Sequence, residues 1–157
     1  MKYTPSQVRQ AVGLPQETLR HWRATFAFLQ DVRGQGPTYR SGQILALAIV
    51  KRLVQDSGVT VGALKRVEAG LVRIVSGAHW SALERGALCL CLATGEATLV
   101  EGPAVSVGAA ALLVLPLAPV IAELRRDLTG LEVLDPQQSF GFPPHDVAPA
   151  SAEKVRA

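Results

Sequence analysis

The sequence has few of the residues that carry covalent or metal chemistry. Two cysteines in 157 residues are too few for a disulfide framework. The chain contains no glycine-rich phosphate loop and no cluster with metal-ligand spacing. It also contains no pair of carboxylates in a sequence pattern that indicates an active site. We therefore expect no enzymatic activity, no cofactor and no bound metal.

Signals for export and membrane insertion are also missing. Residues 1–5 do not begin an apolar signal segment, so we expect a cytoplasmic protein. Residues 102–122 form a run of 21 residues without a charge, which is long enough to span a bilayer. Pro116 and Pro119 would break a helix in its second half, and no basic residue flanks its N-terminal side. We predict a buried strand followed by a helix here, and no membrane partner.

Charge is divided unequally along the chain. Residues 1–75 contain 11 Lys and Arg against 4 Asp and Glu, a net charge of +7. Residues 76–157 contain 5 against 9, a net charge of −4. A basic half joined to an acidic half is typical of a polyanion-binding module attached to a second unit. The alternative is a basic surface that only solvates the protein.

Residues 3–29 have the pattern of two short helices joined by a tight turn. Thr4 and Pro5 suit the cap and first turn of the first helix, and Gly13 suits its end. We predict the second helix over residues 15–29. The predicted inward-facing residues are Val8, Ala11 and Val12 of the first helix and Leu19, Trp22 and Phe26 of the second.

The opposite face of the second helix is polar. It carries Gln16, Glu17, Arg20 and His21. A helix with one apolar side and one short polar side fits the major groove of DNA, where base edges are read by hydrogen bonds. Residues 31–40, with Arg33 and Arg40 near the ends, are rich in glycine, and we interpret them as a wing that lies along DNA phosphates.

The next two predicted helices follow the wing. Ser41 suits the N-cap of the third helix, whose buried residues are predicted to be Ile44, Leu47, Ala48, Leu53 and Val54, with Lys51, Arg52 and Gln55 projecting away. Thr60 suits the cap of the fourth helix. We expect this helix to end or bend near Gly70, because glycine weakens a helix, with residues 72–75 as a short apolar continuation.

The second half has a different pattern. Residues 79–85 suit a helical turn, and residues 87–93 and 97–100 suit a hairpin around the turn at 94–96. We predict further strands at 105–107 and 109–117, the second buried on both faces, and a helix at 119–128 that Gly130 ends. From Asp135 onward we expect a loosely ordered, proline-rich tail.

These patterns predict an α+β protein with three parts. Residues 1–77 form a mostly helical, winged helix-turn-helix domain, residues 78–130 a small module of a β-hairpin or strands plus a helix, and residues 131–157 the tail.

Residues 3–68 resemble the DNA-binding domain of MerR-like transcription regulators. The resemblance rests on an ordered set of residues: Tyr3, Gly13, Glu17-Thr18-Leu19-Arg20, His21-Trp22, Tyr39-Arg40 and Gly58. It implies a winged helix-turn-helix that binds duplex DNA as a dimer. The long antiparallel dimerisation helix typical of the family is not evident, because Gly70 and Gly77 interrupt the fourth helix.

The resemblance also implies which residues meet DNA. Gln16, Glu17 and Thr18 become candidates for contacts to base edges or backbone, Arg20 and His21 for phosphate, and Arg33, Tyr39 and Arg40 for the wing. Arg23 joins this set because it lies on the same helix, before a basic loop. Two roles stay open for Tyr39, a phosphate contact or packing under the wing.

Three functions remain open at this level. The first is a sequence-specific regulator that binds duplex DNA as a homodimer, with residues 78–130 supplying dimerisation. The second is a protein-interaction adaptor on a helix-turn-helix scaffold, with residues 78–130 docking a partner. The third is a ligand sensor that uses the apolar C-terminal module. Cys89 and Cys91 would share one face of a strand, but they are predicted to be buried apolar residues rather than metal ligands.

Overall fold

The computed structural model describes residues 2–30, 38–102 and 111–132, with side chains as far as Gly130. The elements are β1 Lys2–Tyr3, α1 Pro5–Val12, α2 Gln16–Thr25, a 3-10 turn Ala27–Leu29, β2 Tyr39–Arg40, α3 Ser41–Gln55, α4 Val61–Gly77, α5 Trp80–Arg85, β3 Gly86–Cys91, β4 Glu96–Glu101, β5 Leu113–Pro116 and α6 Leu117–Glu132. The predicted α+β class is confirmed.

Helix α1 begins and ends as predicted. The Thr4 side chain accepts a hydrogen bond from the Gln7 backbone N–H at 3.4 Å, and the Gln7 side chain accepts one from the Thr4 N–H at 2.9 Å. Such a reciprocal capping box satisfies two N–H groups that have no partner inside the helix. At the other end, Gly13 adopts a left-handed conformation with φ of +66°.

Helix α2 is shorter than predicted. It ends at Thr25, because Phe26 is extended, and the chain then makes the 3-10 turn. Phe26 is buried and meets the Trp22 ring edge-on, with ring centroids 6.3 Å apart. A bend at Phe26 buries both this ring and Leu29, so the predicted unbroken helix over residues 15–29 is wrong at its C-terminal end.

Helix α3 is buried over most of its circumference, not along a single stripe. Its buried residues are Ile44, Leu45, Ala46, Leu47, Ile49, Val50 and Leu53. It contacts α1, α4 and α6, which explains the wide burial. Ser41 is the first helical residue rather than the predicted N-cap, and Gln43 caps the helix start by accepting a hydrogen bond from the Arg40 N–H at 2.8 Å.

Helix α4 begins at the Thr60 cap and continues without a break through Gly70 to Gly77, so the predicted end at Gly70 is wrong. A Cβ at Gly70 would lie 2.8 Å from the Ala97 Cβ of β4. Glycine at this position therefore allows the strand to approach the helix closely. The propensity cost of glycine is offset by packing that the local sequence does not reveal.

The second half is a three-stranded antiparallel sheet in the order β4-β3-β5, followed by α6. The predicted hairpin is confirmed, with Gly95 in its turn at φ of +79°. Strand β5 is an edge strand whose Val114 is 43% exposed, so the expectation of burial on both faces is wrong. Helix α6 starts at Leu117 and passes Gly130, so its predicted end at Gly130 is also wrong. The strand expected at 105–107 and the tail lie outside the described residues.

Both halves of the described chain share one cluster of buried apolar side chains. Helix α6 contributes Leu117, Val120, Ile121 and Leu124 to the cluster that also contains the inward residues of α1 to α4. The helix packs against α1 and α3 as well as against α5 and β3. No helix within the described ranges is long and apolar enough to cross a membrane.

Two glycines of α4 provide a matched test of the contact with β4. We expect Gly70→Ala to destabilise the protein by about 1–3 kcal/mol, because the new Cβ overpacks against Ala97. We expect Gly62→Ala, which meets nothing within 4 Å, to leave stability unchanged or raise it by up to about 1 kcal/mol. Urea unfolding of both variants checks this, and equal effects would contradict the close approach of β4.

Candidate nucleic-acid interface

The polar face of α2 is open to solvent. Gln16, Glu17, Arg20 and His21 are exposed and Thr18 is half-buried. An Arg20 guanidinium nitrogen lies 3.6 Å from a Glu17 carboxylate oxygen, with the two side chains 81% and 79% exposed. An ion pair this exposed contributes little stability, so both groups can exchange partners at low cost.

A hydrogen bond from α3 holds the turn that precedes α2. The Lys51 ammonium donates a hydrogen bond of 2.7 Å to the carbonyl oxygen of Val12, the last residue of α1. A cation at a helix C-terminus also interacts favourably with the helix dipole. Lys51 was expected to project away from the core, and this expectation is wrong because the Val12 carbonyl binds its ammonium group.

Two side chains hold the chain just before residues 31–37, because both form hydrogen bonds with the Phe28 backbone. The Glu68 carboxylate of α4, only 8% exposed, accepts a hydrogen bond from the Phe28 N–H at 2.9 Å. The Gln43 amide donates to the Phe28 carbonyl at 2.8 Å, while its oxygen accepts from the Arg40 N–H. Gln43 therefore joins the chain before residues 31–37 to the chain after them. Sequence reasoning did not find these links, since they join residues 15 and 40 positions apart.

Strands β1 and β2 place two basic residues side by side. Lys2 is the direct cross-strand partner of Arg40, and Tyr3 is the partner of Tyr39. Lys2 and Arg40 are both exposed. Like charges directly opposite each other are unfavourable unless an anion compensates them, so the pair is suited to phosphate. Sequence reasoning missed Lys2 because a strand of two residues has no readable periodicity. Arg33 lies outside the described residues.

Tyr39 lies inside the protein. Its side chain is 0% exposed, and its hydroxyl has no hydrogen-bond partner within the described part of the chain. Burial raises the pKa of Tyr39 above its ordinary value, and the positive charge of Arg23 opposes that rise. Of the two roles left open for Tyr39, the structure shows packing. Arg23 is half-buried near it, so its guanidinium is less accessible than that of Arg20.

The two cysteines are buried in β3. Cys89 faces Thr98 and Val114 across the sheet, and Cys91 faces Glu96. Hydrogen bonds with the side chain and backbone of Thr94 lower the pKa of Cys91. In the ranges that the structure describes, no three His, Cys, Asp or Glu side chains are grouped to hold a metal ion. The arrangement agrees with cysteine as a small buried residue.

The buried Tyr39 hydroxyl predicts a specific response to alkali. Because the folded-state pKa is raised, the neutral phenol stabilises the fold at all pH values below the ordinary pKa near 10. This contribution is lost as the pH rises towards and through the higher folded-state pKa. We expect unfolding free energy to fall above about pH 10 with a slope steeper by up to about 1.4 kcal/mol per pH unit than in Tyr39→Phe.

Chemical denaturation of both proteins from pH 8 to 11 measures the difference. At neutral pH the two should agree within about 1 kcal/mol, since the lost hydroxyl has no partner among the described atoms. Parallel alkaline curves would show that Tyr39 ionises without unfolding, and so that it is not buried.

The N-terminal part of the chain matches a known protein family. Residues 3–71 match the model of the MerR helix-turn-helix family of regulatory proteins. No curated protein and no solved structure matches the chain. The matched region runs from Tyr3 of β1 to the middle of α4, and so includes the turn, α2 and Arg40 of β2, while Lys2 lies just before it. The N-terminal part of this protein is therefore a MerR-type helix-turn-helix domain.

Proposed function

We propose that the protein is a transcriptional regulator that binds duplex DNA sequence-specifically, as a homodimer in the cytoplasm. The observation that carries the proposal is the solvent-open polar face of α2, which lies in a MerR-type domain with the basic pair Lys2 and Arg40. A short polar helix face can enter the major groove while nearby cations hold the phosphates. The excess of basic residues in the first half supports the same partner.

The residues divide into two kinds of contact. Gln16, Glu17 and Thr18 lie in the first turn of α2 and reach base edges or the adjoining backbone. Arg20 and His21 follow on the next turn and reach phosphate. The wing contributes Arg33 and Arg40, and β1 contributes Lys2. Arg23 acts from a half-buried position next to Tyr39, so we assign it a supporting role.

We propose a dimer because the proposed DNA-contacting surface of one chain is small. One helix-turn-helix contacts few base pairs, and two-fold symmetry doubles the site. We assign the dimer contact to residues 78–130, which we propose as a separate functional module. Helix α4 is a poor candidate, because Leu64, Val67, Leu71 and Val75 are already buried within the chain.

Arg20 and Arg126 provide a matched pair of variants. Both are exposed, and each lies within 4 Å of an acidic neighbour, Glu17 at 3.6 Å and Asp127 at 3.4 Å. We expect Arg20→Ala to weaken binding to every duplex by about 5- to 30-fold and to reduce the slope of log affinity against log salt by about 0.9. Arg126→Ala on α6, which lies outside the proposed DNA contacts, should leave the salt slope unchanged. Gel-shift titrations at several salt concentrations measure both quantities, and an unchanged Arg20→Ala would contradict the proposed phosphate contact.

Base reading is tested by changing sequence preference rather than affinity. We expect Gln16→Ala and Thr18→Ala to alter the bases selected from a random duplex pool, with a cost of about 1–3 kcal/mol at the affected position. Arg40→Ala should keep the selected sequence and weaken binding. Wild-type selection should return a two-fold symmetric site. If the protein is not retained on duplex DNA but captures a stable protein partner, the adaptor function replaces this proposal.

A further inference from the structure

A cleft of about 230 Å³ lies where the N-terminal domain meets the second half of the chain. Tyr3 of β1 and Ser41 of α3 line one side, and Trp80 of α5 lines another. The remaining wall is helix α6, with the apolar residues Ile121, Leu124 and Leu128 and the charged residue Arg125. Residues from four elements therefore converge on one apolar space.

Trp80 is the unusual residue in this wall. Its side chain is 41% exposed, whereas Trp22 is 3% exposed and packs in the core. An indole left in water forgoes a large hydrophobic gain, and exposed aromatic rings commonly bind ligands or partners. Leu83 already anchors α5 in the core, so packing of this helix does not account for Trp80.

The charges at the cleft are already balanced. Arg125 pairs with the Glu84 carboxylate, so its charge does not require an anionic ligand. Apart from Arg125, the cleft is lined by the indole of Trp80, the aromatic ring of Tyr3, aliphatic side chains and one serine, Ser41. These groups favour an uncharged planar aromatic molecule with one hydroxyl or similar polar group.

The volume of the cleft limits the size of the ligand. An apolar cavity of about 150 Å³ is enough to bind benzene, so the larger cleft accommodates one or two fused rings. A second cleft, between α1, α3 and α6, has a volume of about 70 Å³. There Arg52 is already paired with Asp56 at 3.1 Å and Glu123 at 3.6 Å, which leaves little for a ligand to bind.

We propose that the cleft at Trp80 binds a small aromatic molecule of one or two rings and that its occupancy changes DNA affinity. The second part rests on the function proposed above. Tyr3 lines the cleft and pairs with Tyr39, while its neighbour Lys2 pairs with Arg40. Ser41 follows Arg40 directly. A ligand against Tyr3 and Ser41 therefore touches β1 and the residue that directly follows β2.

Binding is tested with 2-naphthol as the probe. In a Trp22→Phe background, Trp80 is the only tryptophan, and its emission should change on titration with a Kd between about 10 μM and 1 mM. Calorimetry on the unmodified protein should give the same Kd. Trp80→Ala should weaken binding at least 10-fold, and Leu128→Trp should do so by filling the cleft. Val114→Ala, which removes another exposed apolar group outside the cleft, should have no effect.

Absence of 2-naphthol binding, or equal binding by Leu128→Trp and the unmodified protein with both folded, would overturn the proposal. So would Trp80 emission that depends on protein concentration without ligand, because the cleft would then be covered by a second copy of the chain.

Coupling is tested separately. Saturating 2-naphthol should change affinity for the selected duplex by at least about threefold, and DNA should change the 2-naphthol Kd by the same factor. Unchanged DNA affinity would overturn the coupling. A protein that binds 2-naphthol at this cleft but has no affinity for any duplex would also overturn the coupling, and would show that the failure lies in the proposed function.

Discussion

The burial of α3 on most of its circumference is the constraint on which the rest of the structure depends. A helix with apolar residues on most sides must be covered by several elements, and here α1, α4 and α6 all pack against it. Each fully buried leucine or isoleucine in it contributes about 1.5–3 kcal/mol. The turn before α2 is positioned by the same helix, because Lys51 of α3 binds the end of α1. The polar face of α2 thus belongs to an outer layer that α3 helps to position.

Polar links join the described segments on either side of residues 31–37. Phe28 has its backbone N–H bonded to Glu68 and its carbonyl bonded to Gln43. A buried carboxylate is costly unless it is hydrogen-bonded. The Glu68 carboxylate is tolerated here because it accepts a hydrogen bond from the Phe28 backbone N–H. The strand pair β1 and β2 is only two residues long on each side, and strands that short need such support. The basic pair Lys2 and Arg40 is accordingly held in place by residues that carry no positive charge.

Local signals predicted the elements whose boundaries are decided locally. The Thr4 and Thr60 caps, the Gly13 turn and the hairpin around Gly95 all have their causes within a few residues. The errors arose where distant contacts decide the outcome. Gly70 looks like a helix breaker until Ala97 is placed against it, and Lys51 looks like a surface charge until the Val12 carbonyl is placed beside it. The polar face of α2 was predictable because helical spacing alone determines it. Lys2 was not, because only the pairing of β1 with β2 brings it to Arg40.

The two halves of the described chain meet at one packed junction. Helix α4 is continuous, but its inward residues Leu64, Val67, Leu71 and Val75 are consumed by packing within the chain. These buried residues of α4 are not available as an apolar stripe for contact with a second copy of the chain. Helix α6 packs on α1 and α3 and adds its apolar residues to their core, so the second half is not a freely tethered appendage. Helix α6 and the turn before α2 therefore depend on one shared core, because α6 packs on α1 and α3, and Lys51 of α3 binds the end of α1.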